Sequence, residues 1–372
     1  MAETELPRVG ITGVVGMIGT HLRALLQSRS IPVVPCPDEF FSAPTQLDRF
    51  VSSCDAIVHL AGMNRGQEDE ILETNTRLTR ALTDACDRTN TRPHILFADS
   101  IHKTRGDAYG QSKTQCAETL QTWADRTGAF FTDLVLPNVF GEGARPFYNS
   151  VIATFSRQLA NEQEPTILID AEMELLHAQD VALIISDSIH VPSSGEVRPQ
   201  GTRIRVSDLL ERLQEMDRSY RAHIFPHLQD DFALSLFNTY RSYLYPAYYP
   251  VRIPQHQDPR GALVETVKSQ NGGQCFVSWT YPGVTRGNHY HLHRLERFLV
   301  LQGQGLLKIR KLFSDEICDF ALGGSAPAYV DIPTLHAHSI TNVGSEPLIT
   351  LFWSHQLLDT AHPDQFPQEV QP

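Results

Sequence analysis

The sequence predicts two folds in series, an α/β doubly wound parallel sheet followed by an all-β barrel or sandwich. Three observations carry this. At 372 residues the chain is too long for one ordinary core and suits two. Its first half alternates short apolar runs with longer stretches of helical spacing. From about Asp258, short β-rich pieces follow one another, separated by Gly, Pro and Asn turns.

In chain order, RVGIT (8–12), IPVV (31–34), AIVHLAG (56–62), HILFADS (94–100) and FTDLVLPNVFG (131–141) read as strands. Residues 17–28, 69–88 and 109–127 carry the helical spacing between them. Strand–helix alternation of this kind gives a parallel sheet with helices on both faces. The Tyr- and Pro-rich stretch TYRSYLYPAYYPVRIPQHQDP cannot be a regular helix and marks the junction, so the expected domains are 1–246 and 252–372. Beyond it, QCFVSWT, ERFLVLQG, GLLKIRK, AYVDIP and LITLFWS read as strands.

Composition narrows the function classes. With 41% hydrophobic and 20% charged residues, the chain reads as a soluble globular protein. No apolar run is long enough to span a bilayer, so no membrane partner is expected. The N-terminus MAETELPRVG is acidic and lacks the basic and apolar regions of a secretory signal. Six scattered cysteines without a C-x-x-C pair fit a reducing, cytoplasmic setting. A net charge of −12 sets an unfavourable field for nucleic acid. Phosphate-bearing small molecules stay possible, because backbone N–H groups can hold them.

The first strand runs into Thr12-Gly13-Val14-Val15-Gly16-Met17-Ile18-Gly19 and then a helix. Gly13 permits a tight turn, Gly16 lets backbone approach a pyrophosphate, and Gly19 lets helix and strand pack closely. The pattern lies after a strand and before a helix, the context a dinucleotide site requires. Beyond the second strand stands Pro35-Cys36-Pro37-Asp38, which does not choose between NAD and NADP. Farther on, Tyr109 and Lys113 lie four apart, on one face of a helix. A lysine ammonium favours the ionised phenol, and such a tyrosine can hand a proton to a carbonyl as hydride arrives. Ser100, ending its strand, is placed to hydrogen-bond the same oxygen. A Tyr-x-x-x-Lys pair alone would also fit a solvated helix face.

Taken together, T-G-x-x-G-x-x-G, HLAG (59–62), Asn75, Ser100, Tyr-G-x-S-Lys and PNVFG (137–141) make residues 8–245 resemble the extended short-chain dehydrogenase/reductase family. The resemblance implies a Rossmann-type domain with Ser100, Tyr109 and Lys113 as catalytic residues. It further implies cofactor contacts at Thr12, Gly13, Gly16, Met17, Ile18, Gly19, Leu60, Ala61, Gly62, Tyr109 and Lys113. Nucleotide-sugar contacts are implied at Asn138 and Asn149. Two departures stand out: Val135-Leu136 replace the usual arginine before the Pro-Asn pair, and Ala98-Asp99 precede the serine.

The second half contains G-x5-H-x-H-x4-E-x6-G from Gly283, with His289, His291, Glu296 and Gly303. Strand alternation sends His289 and His291 to one face, Glu296 opens the next strand, and His338 adds a third imidazole. Three nitrogens and a carboxylate can hold Zn, Fe, Mn, Ni or Cu, with zinc the first choice where no redox step is needed. His293 and His336 read more simply as pocket or surface histidines. The spacing resembles the two cupin motifs, with Pro327 and Leu335 standing where the second has glycines, and it implies a cupin jelly-roll barrel.

Asp258-Pro259-Arg260-Gly261-x3-Glu265 resembles the entry strand of the sugar 3,5-epimerase cupins. Through YNSVIATF, RGNHYH and VDIP, nearly the whole chain is similar to the bifunctional capsular-polysaccharide enzymes of the UDP-N-acetyl-L-fucosamine pathway. That resemblance implies C3 epimerisation of a UDP-2-acetamido-2,6-dideoxy-4-hexulose in the cupin domain. NADPH-dependent reduction of the 4-ketone by a homodimer would follow, giving a UDP-acetamido-dideoxy-L-talose. A reductase with a merely structural cupin, and a regulatory nucleotide-binding protein, are the alternatives; the complete Ser100, Tyr109 and Lys113 set speaks against the second.

Overall fold

In a computed structural model of the chain, residues 6–371 are described; residues 1–5 of the acidic N-terminus and Pro372 lie outside them. Strand β1 (Val9–Thr12) is buried at every position, as a non-alternating apolar run at the centre of a two-faced sheet requires. With β2 (Val33–Cys36), β3 (Ala56–His59), β4 (His94–Ser100), β5 (Phe131–Leu136) and Gly195–Val197 it forms a six-stranded parallel sheet. The order is β2-β1-β3-β4-β5 and then Gly195–Val197. The chain therefore reverses direction across the sheet between β1 and β3, where a cofactor crevice opens in such folds.

Helices α1 (Met17–Ser28), α2 (Pro44–Ser52), α3 (Glu68–Thr89) and α4 (Ala108–Thr127) connect these strands. α3 packs on α4, while α1 packs against the helix Ala178–His190. Asp107 caps α4 by accepting the Gly110 N–H at 2.8 Å, a contact that contributes about 1 kcal/mol. The expected single strand over 131–141 is corrected. Pro137 has no N–H for the ladder, so β5 stops at Leu136, and β6 (Asn138–Phe140) pairs instead with Glu172–His177. That switch carries Asn138 off the main sheet.

The chain divides into two compact units: residues up to 154 with 169–206, and 155–168 with 207 onward. This grouping differs from a division at 246–252, because helical residues before the junction pack on barrel strands. Tyr220, fully buried, donates to Asp331, which Arg297 holds at 2.7 and 2.8 Å. The second unit contains two five-stranded antiparallel sheets. One holds Gln274–Thr280, Glu296–Gln302, Ala328–Ile332 and Leu348–Ser354; the other holds Thr285–Tyr290, Gln304–Lys311, Ile317–Gly323 and His336–Asn342. Phe298, Leu307, Ile309, Val330 and Ile340 form part of its core, each burial contributing about 1.5–3 kcal/mol. Among the described residues, no helix is long and apolar enough to cross a membrane.

Candidate functional site

The crevice between β1 and β3 is closed at its base by Thr12. Its Oγ1 accepts the N–H groups of Leu60 and Ala61 at 3.1 and 3.0 Å and gives its own proton to His59 Nδ1 at 2.8 Å. Thr12 thus clamps two strand ends. Gly13, at φ +65°, lies so close to the Leu60–Ala61 backbone that a Cβ would stand 2.9 Å from Ala61 N. Gly16 starts α1, and no side chain caps it, so the helix N-terminus at Met17, Ile18 and Gly19 offers its N–H groups to an anion. These residues fit a dinucleotide pyrophosphate.

Asn75 ties this crevice to the reductase residues. Its Oδ1 accepts the Met63 N–H at 2.7 Å, just past Gly62, and its Nδ2 donates to Ser112 Oγ at 2.9 Å. Ser112 in turn donates to the Tyr109 carbonyl at 2.8 Å. Tyr109 sits in the first turn of α4, and the Lys113 ammonium lies 5.8 Å from the centre of its ring. Lys113 is held by the Ala98 carbonyl at 2.6 Å and by the face of Phe97. Ser100 ends β4; its Oγ accepts the His102 N–H at 3.1 Å, which leaves the hydroxyl proton free to be donated.

Asp99, a departure from the family pattern, has a physical role. Lys103 Nζ lies 2.8 Å from Asp99, 2.8 Å from Asp133 and 3.0 Å from Glu196. Burial raises the Asp133 pKa to about 6 against the pull of Lys103. This cluster braces the turn after Ser100, and local spacing gave no sign of it. Asn138 is held by His102 at 3.2 Å and the Glu174 carbonyl at 3.2 Å, beside that turn. Asn149 is exposed, and among the described residues no hydrogen bond ties its side chain to the others.

In the barrel, one ligand atom each from His289, His291, Glu296 and His338 lies within 4.8 Å of the others. Nε2 of His291 and Nε2 of His338 each stand 3.1 Å from Glu296 Oε2. The opposite nitrogens donate to backbone: His291 Nδ1 to the Asp364 carbonyl, and His338 Nδ1 to the His336 carbonyl at 3.4 Å. With Nδ1 engaged this way, Nε2 is the nitrogen each ring would offer a cation on giving up the proton it now shares with Glu296. His289 Nε2 is buried without a partner. Burial works to raise the Glu296 pKa, but the two imidazoles hold it well below the usual carboxylate range. The donor set fits a divalent ion.

The route to this geometry differs from plain alternation. The strand Thr285–Tyr290 ends before His291, and a bulge between Gly287 and His289 resets its register. A Cβ on Gly287, at φ +106°, would stand 2.7 Å from the His338 carbonyl. Asp364, missed in the sequence, then fixes the turn by accepting N–H groups of Leu292, His293 and Arg294 at 2.7–2.8 Å. Leu335 takes the left-handed conformation at φ +61° that the cupin glycine would supply.

Residues 9–197 match the NAD dependent epimerase/dehydratase family, and 256–366 match the polysaccharide biosynthesis C-terminal domain. The chain is 32% identical over 366 residues to a UDP-2-acetamido-2,6-beta-L-arabino-hexul-4-ose reductase of Pseudomonas aeruginosa, covering 96% of this chain and 98% of that one. It resembles the solved capsular polysaccharide assembling protein CapF of Staphylococcus aureus at 30% identity and a TM-score of 0.60, covering 97% and 99%. RMD of Pseudomonas aeruginosa, solved with NADPH, shares the fold at 18% identity and a TM-score of 0.55, over 64% of this chain and 98% of that one. The chain belongs to the NAD dependent epimerase/dehydratase family, among nucleotide-sugar 4-ketoreductases and epimerases whose Rossmann-like domain is fused to a cupin-like one.

Proposed function

We propose that the chain is a bifunctional enzyme that epimerises a UDP-2-acetamido-2,6-dideoxy-4-hexulose at C3 in its barrel and reduces the 4-ketone in its N-terminal unit. The observation that carries this reading is Tyr109 in the first turn of α4 with the Lys113 ammonium near its ring and Ser100 ending the neighbouring strand. NADPH, when bound along the uncapped α1 terminus, supplies the hydride. Tyr109 gives its phenolic proton to the 4-keto oxygen, Ser100 donates a hydrogen bond to that oxygen, and Lys113 stabilises the tyrosinate left behind. NADPH rather than NADH rests on the family resemblance, as does the homodimer, and the cytoplasmic setting rests on the scattered cysteines.

In the barrel, the 4-ketone acidifies the C3 proton, so a base can remove it and return a proton from the opposite face. His289, His291, Glu296 and His338 would hold one divalent ion, zinc by donor type, which supplies positive charge and stiffens the barrel. A second reading keeps only the reductase: four protein ligands would complete a tetrahedral zinc shell, the pattern of structural sites.

The test uses the UDP-4-keto sugar in D2O, first without and then with NADPH, followed by NMR. Deuterium at C3 without NADPH supports epimerisation, and its absence leaves the reductase reading. Tyr109→Phe is expected to lower NADPH oxidation by about 10²–10⁴-fold with NADPH binding kept. Unchanged oxidation in that variant, or a clear preference for NADH, would refute the corresponding assignment.

A further inference from the structure

Two arginines converge on one ring at the C-terminal edge of the parallel sheet. Arg65 lies in the loop after β3, and Arg145 in the loop after β6. Their guanidinium carbons stand 5.8 and 5.3 Å from the centre of the Tyr148 ring. Arg65 Nη1 also donates to the carbonyls of Phe147, at 3.0 Å, and Tyr148. Phe147 holds a left-handed φ of +58°, pinned by its N–H donating to Thr154 Oγ1 at 3.0 Å. Both arginines are exposed, and among the described residues neither has a carboxylate partner. In a chain of net charge −12, two uncompensated cations on one ring make a local attraction for an anion.

Their loops are the two that flank the reductase residues. The Arg65 loop is bolted to Tyr109 through Met63, Asn75 and Ser112. The Arg145 loop follows Asn138, which His102 holds beside Ser100. We propose that Arg65 and Arg145 hold the diphosphate of the nucleotide sugar, with Tyr148 orienting both guanidinium groups. This rests on the reading of Tyr109 as the proton donor to a nucleotide-linked ketone. A diphosphate presents non-bridging oxygens on two phosphorus atoms, which two planar guanidinium forks can each meet with paired hydrogen bonds. Arg65 has five N–H donors and spends only part of them on the two carbonyls, so donors are left for phosphate.

The experiment titrates UDP, UMP and uridine into the full chain saturated with NADP+, by calorimetry. Wild type should bind UDP tightest and uridine weakest. Arg145→Gln and Arg65→Gln should each weaken UDP binding by about tenfold or more while uridine and NADP+ binding stay unchanged. Arg145→Lys should restore only part, because an ammonium cannot fork. Among the described residues Arg145 makes no hydrogen bond to the loop, so its variant tests the proposal even where Arg65→Gln disturbs folding. UDP binding unchanged in Arg145→Gln, equal losses for UDP and uridine, or no preference for UDP in wild type would each overturn the proposal. Failure of the reductase reading looks different: wild type would then leave NADPH unoxidised with the UDP-4-keto sugar, while the UDP losses in the variants still appear.

Discussion

Buried histidines occur in both units, and they are arranged differently. In the N-terminal unit His59 is locked between Thr12 at 2.8 Å and Thr79 at 3.2 Å. His94 meets Thr132 at 2.8 Å, and His21 meets Gln179 at 3.1 Å and the Glu142 carbonyl at 3.2 Å. Where His21, Glu142 and His177 gather, His177 Nε2 donates to Glu142 at 2.9 Å, while its Nδ1, like that of His94, is buried without a partner. In the barrel, two Nε2 atoms face a single carboxylate oxygen and a third has no partner. Burial is alike in the two units. A ring nitrogen without a partner occurs in both, so what separates the candidate ligands is convergence: three imidazoles and a carboxylate gather in the barrel, against two imidazoles and a carboxylate in the N-terminal unit.

The sharpest way to break this contrast is to remove the metal. Chelation, or the His289→Ala/His291→Ala double variant, should take bound divalent metal from one equivalent per chain to none. Free energy on the order of 10 kcal/mol is at stake in such a site. Unfolding of the barrel, followed through Trp279 and Trp353, should therefore shift far downward while the signal of Trp123 in the N-terminal unit holds. Wild type purified without metal, and melting unmoved by chelator, would place the barrel histidines with those of the N-terminal unit.

A buried ionic contact gives the next effect in size. Lys103 is the shared cation of Asp99, Asp133 and Glu196. Lys103→Met would leave Asp99, whose side chain is fully buried, without its counter-charge. Breaking a fully buried pair costs about 3–5 kcal/mol; Lys103 keeps 17% of its side chain exposed, so about 2–3 kcal/mol is expected. Chemical denaturation of the N-terminal unit measures it. Adding Asp99→Asn to Lys103→Met should recover part of the loss, and no recovery would show that the cluster does not act through charge.

The sequence revealed most where function and local pattern coincide. β1, β3 and β5 are buried on both faces, so their apolar runs stood out, and helical spacing over 17–28 matches Met17–Ser28. Glycine and histidine motifs named both candidate sites because their spacing is itself geometric. What stayed hidden depends on distant partners. Asp364 reaches the His291 turn from some seventy residues away, and Asp99 looked like a defect until Lys103 was seen beside it. Pro137 could have been read as the end of β5, since a residue without an N–H cannot continue a central strand. The bulge at Gly287 leaves no periodic trace at all.

The smallest expected effect concerns acid. Burial, first of all, lowers the pKa of His59 to about 3 and of His21 and His94 to about 4. The unfolded chain protonates these rings near 6.5, whereas the folded unit keeps them neutral. The folded pKa is depressed, so the stability they contribute is fully present above about pH 6.5 and is lost as pH falls through 6.5 toward 4. Around pH 5 each such ring adds one proton to the uptake on unfolding, a slope of about 1.4 kcal/mol per pH unit. Substituting His59 by Gln should remove one ring's share of that slope, whatever it does to stability at pH 7. The measurement is urea unfolding followed by Trp123 fluorescence at several pH values between 7 and 4.5. A slope unchanged in His59→Gln would mean that this ring takes up its proton in the folded state as readily as in the unfolded one, and its lock between Thr12 and Thr79 would then carry no acid sensitivity.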